Sequence, residues 1–537
     1  VGLAAYIRRS RAASVLARTP EAQTISVPAP MGSINTISSG AAMPAADCLS
    51  RWNLIPAEYG LRTRLGWREW CTNLNGEVRS IVPFTGSQPS NDHLFACTET
   101  GIWDVTASSS APSQVLAFPA QSPTSGHGVS TVLVTAAGHF LVYCDEANGA
   151  YIYTESTATW TQLDVTGVSA ADLVHVVSWK SRLWFTERNG GKGWYLATNA
   201  IAGAATSYNF GAHFRAGGFL VGLYAWTKEA GAGMDDSLVA ISSAGDVNLY
   251  QGYDPATLGA FALTGQMFAG AVPSGRSLGI QLGGELSIMT VAGLLPMSRL
   301  VLTSVQGDRT QYDTSKIGNL WNKTMLTRSS VLGWKAVLHP QDASLIVIAP
   351  VAAGQPSEQF AMSVMTKGWS QYRDTTMGVS AAPWGGTLYF GTADGKVKAM
   401  DGYVDGVTLA DPNSSSAITW ALLTGFTNLG TTKNKRLLWV RTAFQNDSAP
   451  PSFAIEARID WNMAEVLSSP NAAAGTQAAW DAAVWDATTW GSEYGPSASI
   501  RGLNGIGSRV ALAIRGQSTG RTVLNEFEVA YDIGGQL

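Results

Sequence analysis

The stretch LYFGTADGKVKAMDG, residues 388–402, sets the fold. Leu388, Tyr389 and Phe390 suit a strand. Thr392 to Gly395 supply a turn, with Asp394-Gly395 as the hairpin signal, and Lys396 to Met400 return as a second strand. One such hairpin is marginal in water, so the question is whether it has companions.

It has six. Similar strand–turn–strand units begin at His93 (HLFACTETGIWDVT), His139 (HFLVYCDEANGAYIYT), Arg182 (RLWFTERNGGKGWYLAT), Ser237 (SLVAISSAGDVNLYQG), Ser277 (SLGIQLGGELSIMTVAG) and Ser344 (SLIVIAPVAAGQPSEQFAMSV). Their starts lie about 40 to 67 residues apart, and several intervals are close to the ~40–50 of propeller blades. A blade has four strands, so each hairpin is half of one. Radially set sheets bury both faces against their neighbours and leave only short edges. The expected fold is all-β: a β-propeller of about six to eight blades, with seven units counted, over residues 76–410.

Composition agrees. In 537 residues, 57 are Gly and 19 are Trp, and charged residues make up 14%, against about 25% in ordinary soluble domains. Short strands joined by tight turns have this character. The net charge of −4 lacks the basic footprint of a nucleic-acid clamp. No apolar run reaches the ~20 residues of a membrane-spanning helix. The start carries Arg8, Arg9, Arg11 and Arg18 without a signal-peptide pattern and reads as a basic arm.

Two other regions differ from the repeats. YDTSKIGNLWNKTMLTRSS, residues 312–330, places Ile317, Leu320, Trp321, Thr324 and Met325 on one helical face. Asp313 or Thr314 is the candidate cap, and the expectation is a surface helix beside the propeller. After the linker-like ADPNSSSA at 410–417, the alternation in FAIEARI at 453–459 predicts an antiparallel β-sandwich over 411–537. Within it, Trp480, Trp485 and Trp490 recur every five residues, a period of neither strand nor helix. They read as a loop packing onto a neighbour or as a satellite core under a long loop.

Chemistry-bearing residues do not gather into a recognisable set. His93, His127, His139, His175, His213 and His339 are scattered, and the zinc-protease, nucleophile-elbow and P-loop patterns do not occur. Cys48, Cys71, Cys97 and Cys144 lack metal-site spacing and are expected as buried free thiols, as fits assembly in a reducing compartment. The GGKG at 190–193 lies in a hairpin and does not open a helix, so turn geometry accounts for it. Asp145, Glu146, Asp235, Asp236, Asp394, Asp401 and Asp405 are candidate carboxylates for glycosidase-type pairs. Hairpin turns favour Asp on their own account. Asp401 and Asp405 flank Gly402-Tyr403, where a cation is conceivable, but no calcium-loop pattern is present. Lys433, Lys435, Arg436 and Arg441 form a sparse basic cluster, read as a strand start or subunit contact rather than a DNA contact. The expectation is no catalytic, cofactor-binding or metal-ligating residue, no cofactor and no enzyme activity.

One ordered series of motifs remains. VPAPMGSINTISSGAAMPAADCLSRWNLIPAEYGLRTRLGWREW, residues 27–70, carries Asn35-Thr36, Met43-Pro44, Asp47, Asn53, Pro56 and the Gly60…Arg64…Gly66 spacing. KGWSQYRDTTM follows at 367–377, then the opening hairpin, then ITWALLTGF at 418–426. In this order they resemble the tail nozzle, or tail-tube hub, of short-tailed bacteriophages. The sequence departs from that family at Trp52, where an acidic residue is usual, and at Gly32-Ser33, where the family has Gly-Gly.

The resemblance implies a structural virion protein in a homo-oligomeric ring, usually a hexamer, below the portal and its head–tail adaptor. It implies neighbouring tail fibres or spikes, and double-stranded DNA passing through without sequence-specific binding during genome ejection. It places the protein in the virion tail, assembled in the bacterial host cytoplasm. A slightly acidic or neutral lumen would let DNA slide, since phosphates bind Lys and Arg. The alternatives are a glycan- or receptor-binding virion propeller and a propeller glycan hydrolase. Three structural expectations follow. Residues 1–75 are an N-terminal arm and platform segment, of which Val27 to Trp70 packs with the sandwich after Ile418 to make a platform at one end while the propeller projects from the other. The strand after Gly76 lies in or beside the blade that holds residues 370–398. A chain lacking residues 1–70 remains a soluble propeller that no longer forms rings.

Overall fold

A computed structural model describes residues 22–119, 125–229, 234–302, 308–350, 358–373, 378–447, 450–464 and 495–533. The fold is all-β: six small sheets stand in a ring, the arrangement of a β-propeller. In chain order, the first sector is Ser80–Phe84, His93–Cys97, Gly101–Asp104 and Ser113–Ala117. The second is Gly128–Thr135, Gly138–Asp145, Gly149–Thr154 and Thr159–Gln162. The third is Leu173–Trp179, Arg182–Glu187, Lys192–Tyr195 and Thr206–Asn209. The fourth runs through Leu220–Glu229, Met234–Ser242, Asp246–Gly252 and Phe261–Phe268. The fifth has three strands, Gly279–Leu282, Glu285–Thr290 and Gly293–Pro296.

Between the fifth and last small sheets stands Lys335–His339, touching Gly279–Leu282 on one side and Ser380–Trp384 on the other. It opens a larger, eight-stranded sheet, whose next strands are Ser344–Ala349, Glu358–Ser363 and Trp369–Arg373. That sheet therefore fills a sixth sector and then leaves the ring. Cys48–Trp52 pairs in parallel with it at Trp52↔Gln371 and antiparallel with Ile418–Thr424, followed by Val510–Ser518 and Ser452–Ile459. The seventh sector is Ser380–Trp384, Thr387–Gly391, Val397–Met400 and, arriving from the N-terminal region, Trp67–Cys71.

Each junction has its own apolar filling. Phe84, Phe95, Tyr153 and Trp160 lie between the first two sectors; Trp184, Tyr195, Phe210 and Tyr250 lie between the third and fourth. Small residues set the spacing: a Cβ on Gly391 would stand 2.4 Å from the Val78 side chain where the seventh sector meets the first. Six of the seven hairpins read from sequence are the second and third strands of their sheets. The Ser277 unit is the exception: its Gly283-Gly284 turn joins the first and second strands.

The C-terminal sandwich is present. One sheet is the outer half of the eight-stranded sheet. The other contains Lys435–Asn446, Thr522–Ile533 and Gly495–Gly502, with the arm strands Gln23–Pro28 and Leu61–Thr63 on Thr522–Ile533. Trp420, Phe444, Phe453, Ile514 and Phe527 fill the space between them.

Several boundaries differ from expectation. Residues 67–71 belong to the propeller and not to the arm, so removing 1–70 also removes most of the ring's closing strand. Ser80–Phe84 lies beside the Ser380–Trp384 sheet, as expected for the closure: Ser380 Oγ donates to the Val78 carbonyl at 2.6 Å. The helix is Gly318–Arg328, preceded by a 3-10 turn at Ser315–Ile317. Its predicted face is buried, with Trp321 5.8 Å from Phe360 and 6.0 Å from Trp334 between ring centroids. Its start has no side-chain cap; Thr314 Oγ1 instead accepts from Leu294 N at 3.1 Å. The basic arm and Trp480, Trp485 and Trp490 lie outside the described residues.

Candidate functional site

Two places concentrate buried polar chemistry: a joint between arm, ring and sandwich, and the mouth of the ring.

The joint is built from the motif residues of the 27–70 stretch. Asp47 is fully buried; it accepts from Ser33 N and Asn35 Nδ2, both at 2.9 Å, and from Lys316 Nζ at 2.9 Å. Gly32 is required beside it, since a Cβ there would lie 2.2 Å from Asp47 Oδ1. Arg51, also fully buried, has a guanidinium held by neutral acceptors. It donates to Pro30 O (2.7 Å), Gly32 O (2.9 Å), Trp369 O (2.8 Å) and Ser370 Oγ (2.8 Å). One side chain thus ties the arm to the fourth strand of the sixth sector. Burial pulls its pKa down from the usual arginine value, and the carbonyl dipoles oppose that cost.

Asn53 comes next, in left-handed backbone at φ 56, which Asn tolerates well. Its Nδ2 donates to Arg373 O and Thr419 O, both at 2.8 Å, linking ring to sandwich. Its Oδ1 accepts from Arg64 Nε at 3.2 Å. Arg64 then grips Asp405 with both amino groups, at 2.9 and 2.6 Å, with both residues buried. Sequence reading marked Asp47, Asn53 and Arg64 only as a series of motifs; Arg51 went unnoticed, because nothing local distinguishes a carbonyl-caged arginine from a surface one.

At the mouth, the first strands of several sectors begin around the axis. Arg79, His127, Arg276 and Lys335 come from the first, second, fifth and sixth sectors. Arg276 reaches across to Glu146 of the second sector and donates to Leu220 O and Val221 O of the fourth, both at 2.8 Å. Arg79 is shared by Glu77 and Glu99, both at 3.1 Å, and donates to Ser125 O. The His127 ring packs over Gly333, whose φ of +113 and close approach exclude a side chain. Burial, reinforced by Arg79, lowers the His127 pKa to about 4. Burial lowers that of Lys335 to about 8, with Cys97 acting weakly in the opposite direction. Beside this cluster opens a cleft of about 280 Å³, sharing Arg79, His127, Gly333 and Val379 with it. Among the described residues, the Arg276–Glu146 pair at this mouth spans from the fifth sector to the second.

The remaining sequence candidates do not converge. Asp145 is a turn residue, accepting from Ala147 N and Asn148 N, and burial raises its pKa. Asp236 pairs with Lys180, Asp394 bonds Thr392, Asp401 pairs with Arg68 and Asp405 with Arg64, so Asp401 and Asp405 form no joint cation site. The Asp235 side chain lies outside the described residues. Among the described residues no cluster of His, Cys, Asp and Glu could hold a metal. All four cysteines are free and buried, as expected. The carbonyls of Gly190 and Gly191 accept from Leu220 N, which opens the fourth sector, and from Gly211 N, both at 2.8 Å. Lys435 is wrapped by the carbonyls of Thr431, Lys433 and Ser508 at 2.7–2.9 Å, and Arg441 pairs with Glu528.

No helix among the described residues is long and apolar enough to cross a membrane. No protein-family model matches the chain, and no curated protein matches it. Among solved structures, the computationally designed Ika8 protein aligns with 62% of this chain and 99% of its own, at 9% identity and a TM-score of 0.33. The exo-beta-1,3-galactanase of Phanerochaete chrysosporium, solved with galactose, aligns with 75% of this chain and 95% of its own, at 8% identity and a TM-score of 0.23. Likenesses of that degree carry no argument about activity.

Proposed function

We propose that the chain is a structural virion protein: one subunit of the ring-shaped tail nozzle of a short-tailed bacteriophage, serving as a conduit for genome ejection. The observation that carries this reading is the joint. The residues whose order resembles that family, Asp47, Asn53, Arg64 and Gly66, are the ones that lock arm, ring and sandwich together. Gly66 is forced there by the Val404 carbonyl, 1.9 Å from where its Cβ would sit. Residues spent on rigidity suit a part whose task is to hold shape under load.

In this reading the conduit is the hole of the assembled ring, not the axis of any one propeller. A closed ring uses a head-to-tail interface, in which one face of a subunit meets a different face of the next. The net charge of −4 lets DNA pass without being gripped. The ring would meet the head–tail adaptor on one side and fibres or spikes on the other. The reading gives the chain no catalytic step: the mouth carboxylates Glu77, Glu99 and Glu146 are engaged by guanidinium groups, and a glycosidase needs one carboxyl held protonated opposite a second.

Mass photometry and cryo-electron microscopy of the purified protein, with and without adaptor, test this. Closed rings, six-fold in the expected case, support it. A chain that stays monomeric at all concentrations and beside the adaptor, or that forms a trimeric fibre, overturns it. The cleft at the ring mouth favours a second reading, a glycan- or receptor-binding virion propeller, for which specific retention on a glycan array would be the sign.

A further inference from the structure

We propose that the chain binds a second copy of itself by strand addition: the open edge of Gly495–Gly502 in one copy takes the open edge of Gln23–Pro28 in the next, head to tail. This names the contact that the ring reading needs, and rests on that reading only for closure.

Both strands are edges of one sandwich sheet, in which Gln23–Pro28, Thr522–Ile533, Lys435–Asn446 and Gly495–Gly502 lie in that order. The alternation of hydrogen bonds decides which backbone groups face outward. Ala29 N donates to Asn525 O at 3.0 Å, in register with Gln23↔Tyr531. Gln23, Ile25 and Val27 therefore turn their N–H and C=O groups to the sheet, and Thr24 and Ser26 turn theirs away. On the other side Leu503 N donates to Leu438 O at 3.0 Å, which leaves Ala498, Ile500 and Gly502 facing out. Among the described residues, neither outward row makes a backbone hydrogen bond. All five residues are exposed, Ile500 by 62%, and a Cβ on Gly502 would meet nothing within 4 Å.

An open edge invites pairing, and proteins guard an unused one with charge, proline or a bulge. The companion sheet does so: its edge strand Ser452–Ile459 carries the Glu456–Arg458 pair at 2.8 Å. The two edges here lack that protection. Neither has a register shift. Gln23–Pro28 has no charged residue, and its proline stands at the very end. Within residues 497–502 the one charged side chain, Arg501, is turned over the Phe453 ring at 5.4 Å.

Strand direction selects the occupant. Three antiparallel steps separate the two edges, so they run in opposite directions. A second copy continuing the sheet in the same orientation therefore brings Gln23–Pro28 antiparallel to Gly495–Gly502. Each such junction leaves one edge of each kind free for the next copy, which is the head-to-tail contact a ring requires. Gly495–Gly502 pairing with itself would stop at a dimer.

The test uses full-length variants and mass photometry. Ile500→Pro removes an outward N–H from one edge, and Thr24→Pro removes one from the other. Both N–H groups face solvent within the subunit, where proline is tolerated, so both variants should keep the circular dichroism of the native chain. Each alone should stay monomeric at concentrations where the native chain assembles. Mixed together, they should form dimers with one copy of each and nothing larger, because each variant retains the intact edge that the other needs. Either variant assembling as the native chain does overturns the proposal and leaves the ring reading standing. Dimers formed by Thr24→Pro alone overturn it as well, since Gly495–Gly502 would then be pairing with itself, and so does a mixture that stays monomeric. Open filaments of the native chain that both prolines abolish would support the strand pairing and overturn the closed ring. A native chain that is monomeric at every concentration overturns both.

Discussion

Arg51 and Arg64 illustrate what single residues contribute and how little of it the sequence announces. Both are arginines in a polar stretch, yet each is buried at a three-way contact. Replacing Arg51 by Met leaves Pro30 O, Gly32 O, Trp369 O and Ser370 Oγ without their donor. The expected loss is about 3–5 kcal/mol of stability, measured by chemical denaturation. For Arg64 and Asp405, Arg64→Met should cost a similar ~3–5 kcal/mol, because it strands a buried carboxylate. Adding Asp405→Leu should recover part of that loss, and a double-mutant cycle reads the coupling. The histidines make a separate prediction. Burial lowers the His175 pKa to about 3 and that of His127 to about 4. The unfolded chain therefore binds these protons at higher pH than the folded one, and stability falls as pH drops below about 6.5 toward 3, by up to ~1.4 kcal/mol per pH unit per histidine. His175 Nδ1 has no hydrogen-bond partner among the described residues, and the ring stands edge-on to Tyr224. His175→Phe should accordingly flatten part of the acid limb in a pH series of melting temperatures; an unchanged slope would show that the histidine is not its source.

At the scale of elements, legibility follows locality. A hairpin is written in adjacent residues, by a turn and an alternation, and so the seven units could be counted from sequence. The one misplaced by a strand, at Ser277, sits in the three-stranded sheet, where each of two turns is short and carries Gly: Gly283-Gly284 and Gly293. Helix 318–328 was legible for the same reason, by its buried face. What closes the ring was not, since Trp67–Cys71 reaches Val397–Met400 across more than three hundred residues. Glu69 stands opposite Lys398 in that pairing, and its own bonds go to the segments flanking the strand: its N–H donates to Val407 O at 2.8 Å, and its carboxylate accepts from Lys396 Nζ at 2.7 Å and Leu409 N at 3.1 Å. Glu69→Gln keeps the N–H, whereas Glu69→Pro removes it and restricts the strand. The proline variant should be the less stable of the two by at least ~2 kcal/mol, with early proteolytic cleavage near the closure. Equal stability of the two would mean that this strand does not hold the ring shut.

Across the whole molecule, propeller and sandwich are not two bodies on a linker. They share one sheet, running from Lys335–His339 at the axis to Ser452–Ile459 at the far edge of the sandwich. Cys48–Trp52 is the strand that makes it continuous, and its bond to the ring side is a single register pair, Trp52↔Gln371, supported by Arg51 and Asn53. The composition change after residue 410 suggested a domain boundary; the next strand is Ile418–Thr424, but the sheet crosses that boundary through residues that precede it by more than three hundred positions. Sequence patterns have no reach of that kind. The physical consequence is cooperative unfolding, since neither part can lose its edge without exposing the other's. Differential scanning calorimetry of the intact chain should therefore show one transition. Trp52→Pro removes the strand's N–H and locks its φ exactly where it pairs with Ala421, and should resolve that transition into two, ring and sandwich melting apart. Trp52→Phe, which keeps the backbone and most of the apolar surface, should preserve the single transition. Two well-separated transitions in the unmodified chain would instead mean that the continuous sheet joins the parts in geometry but not in energy.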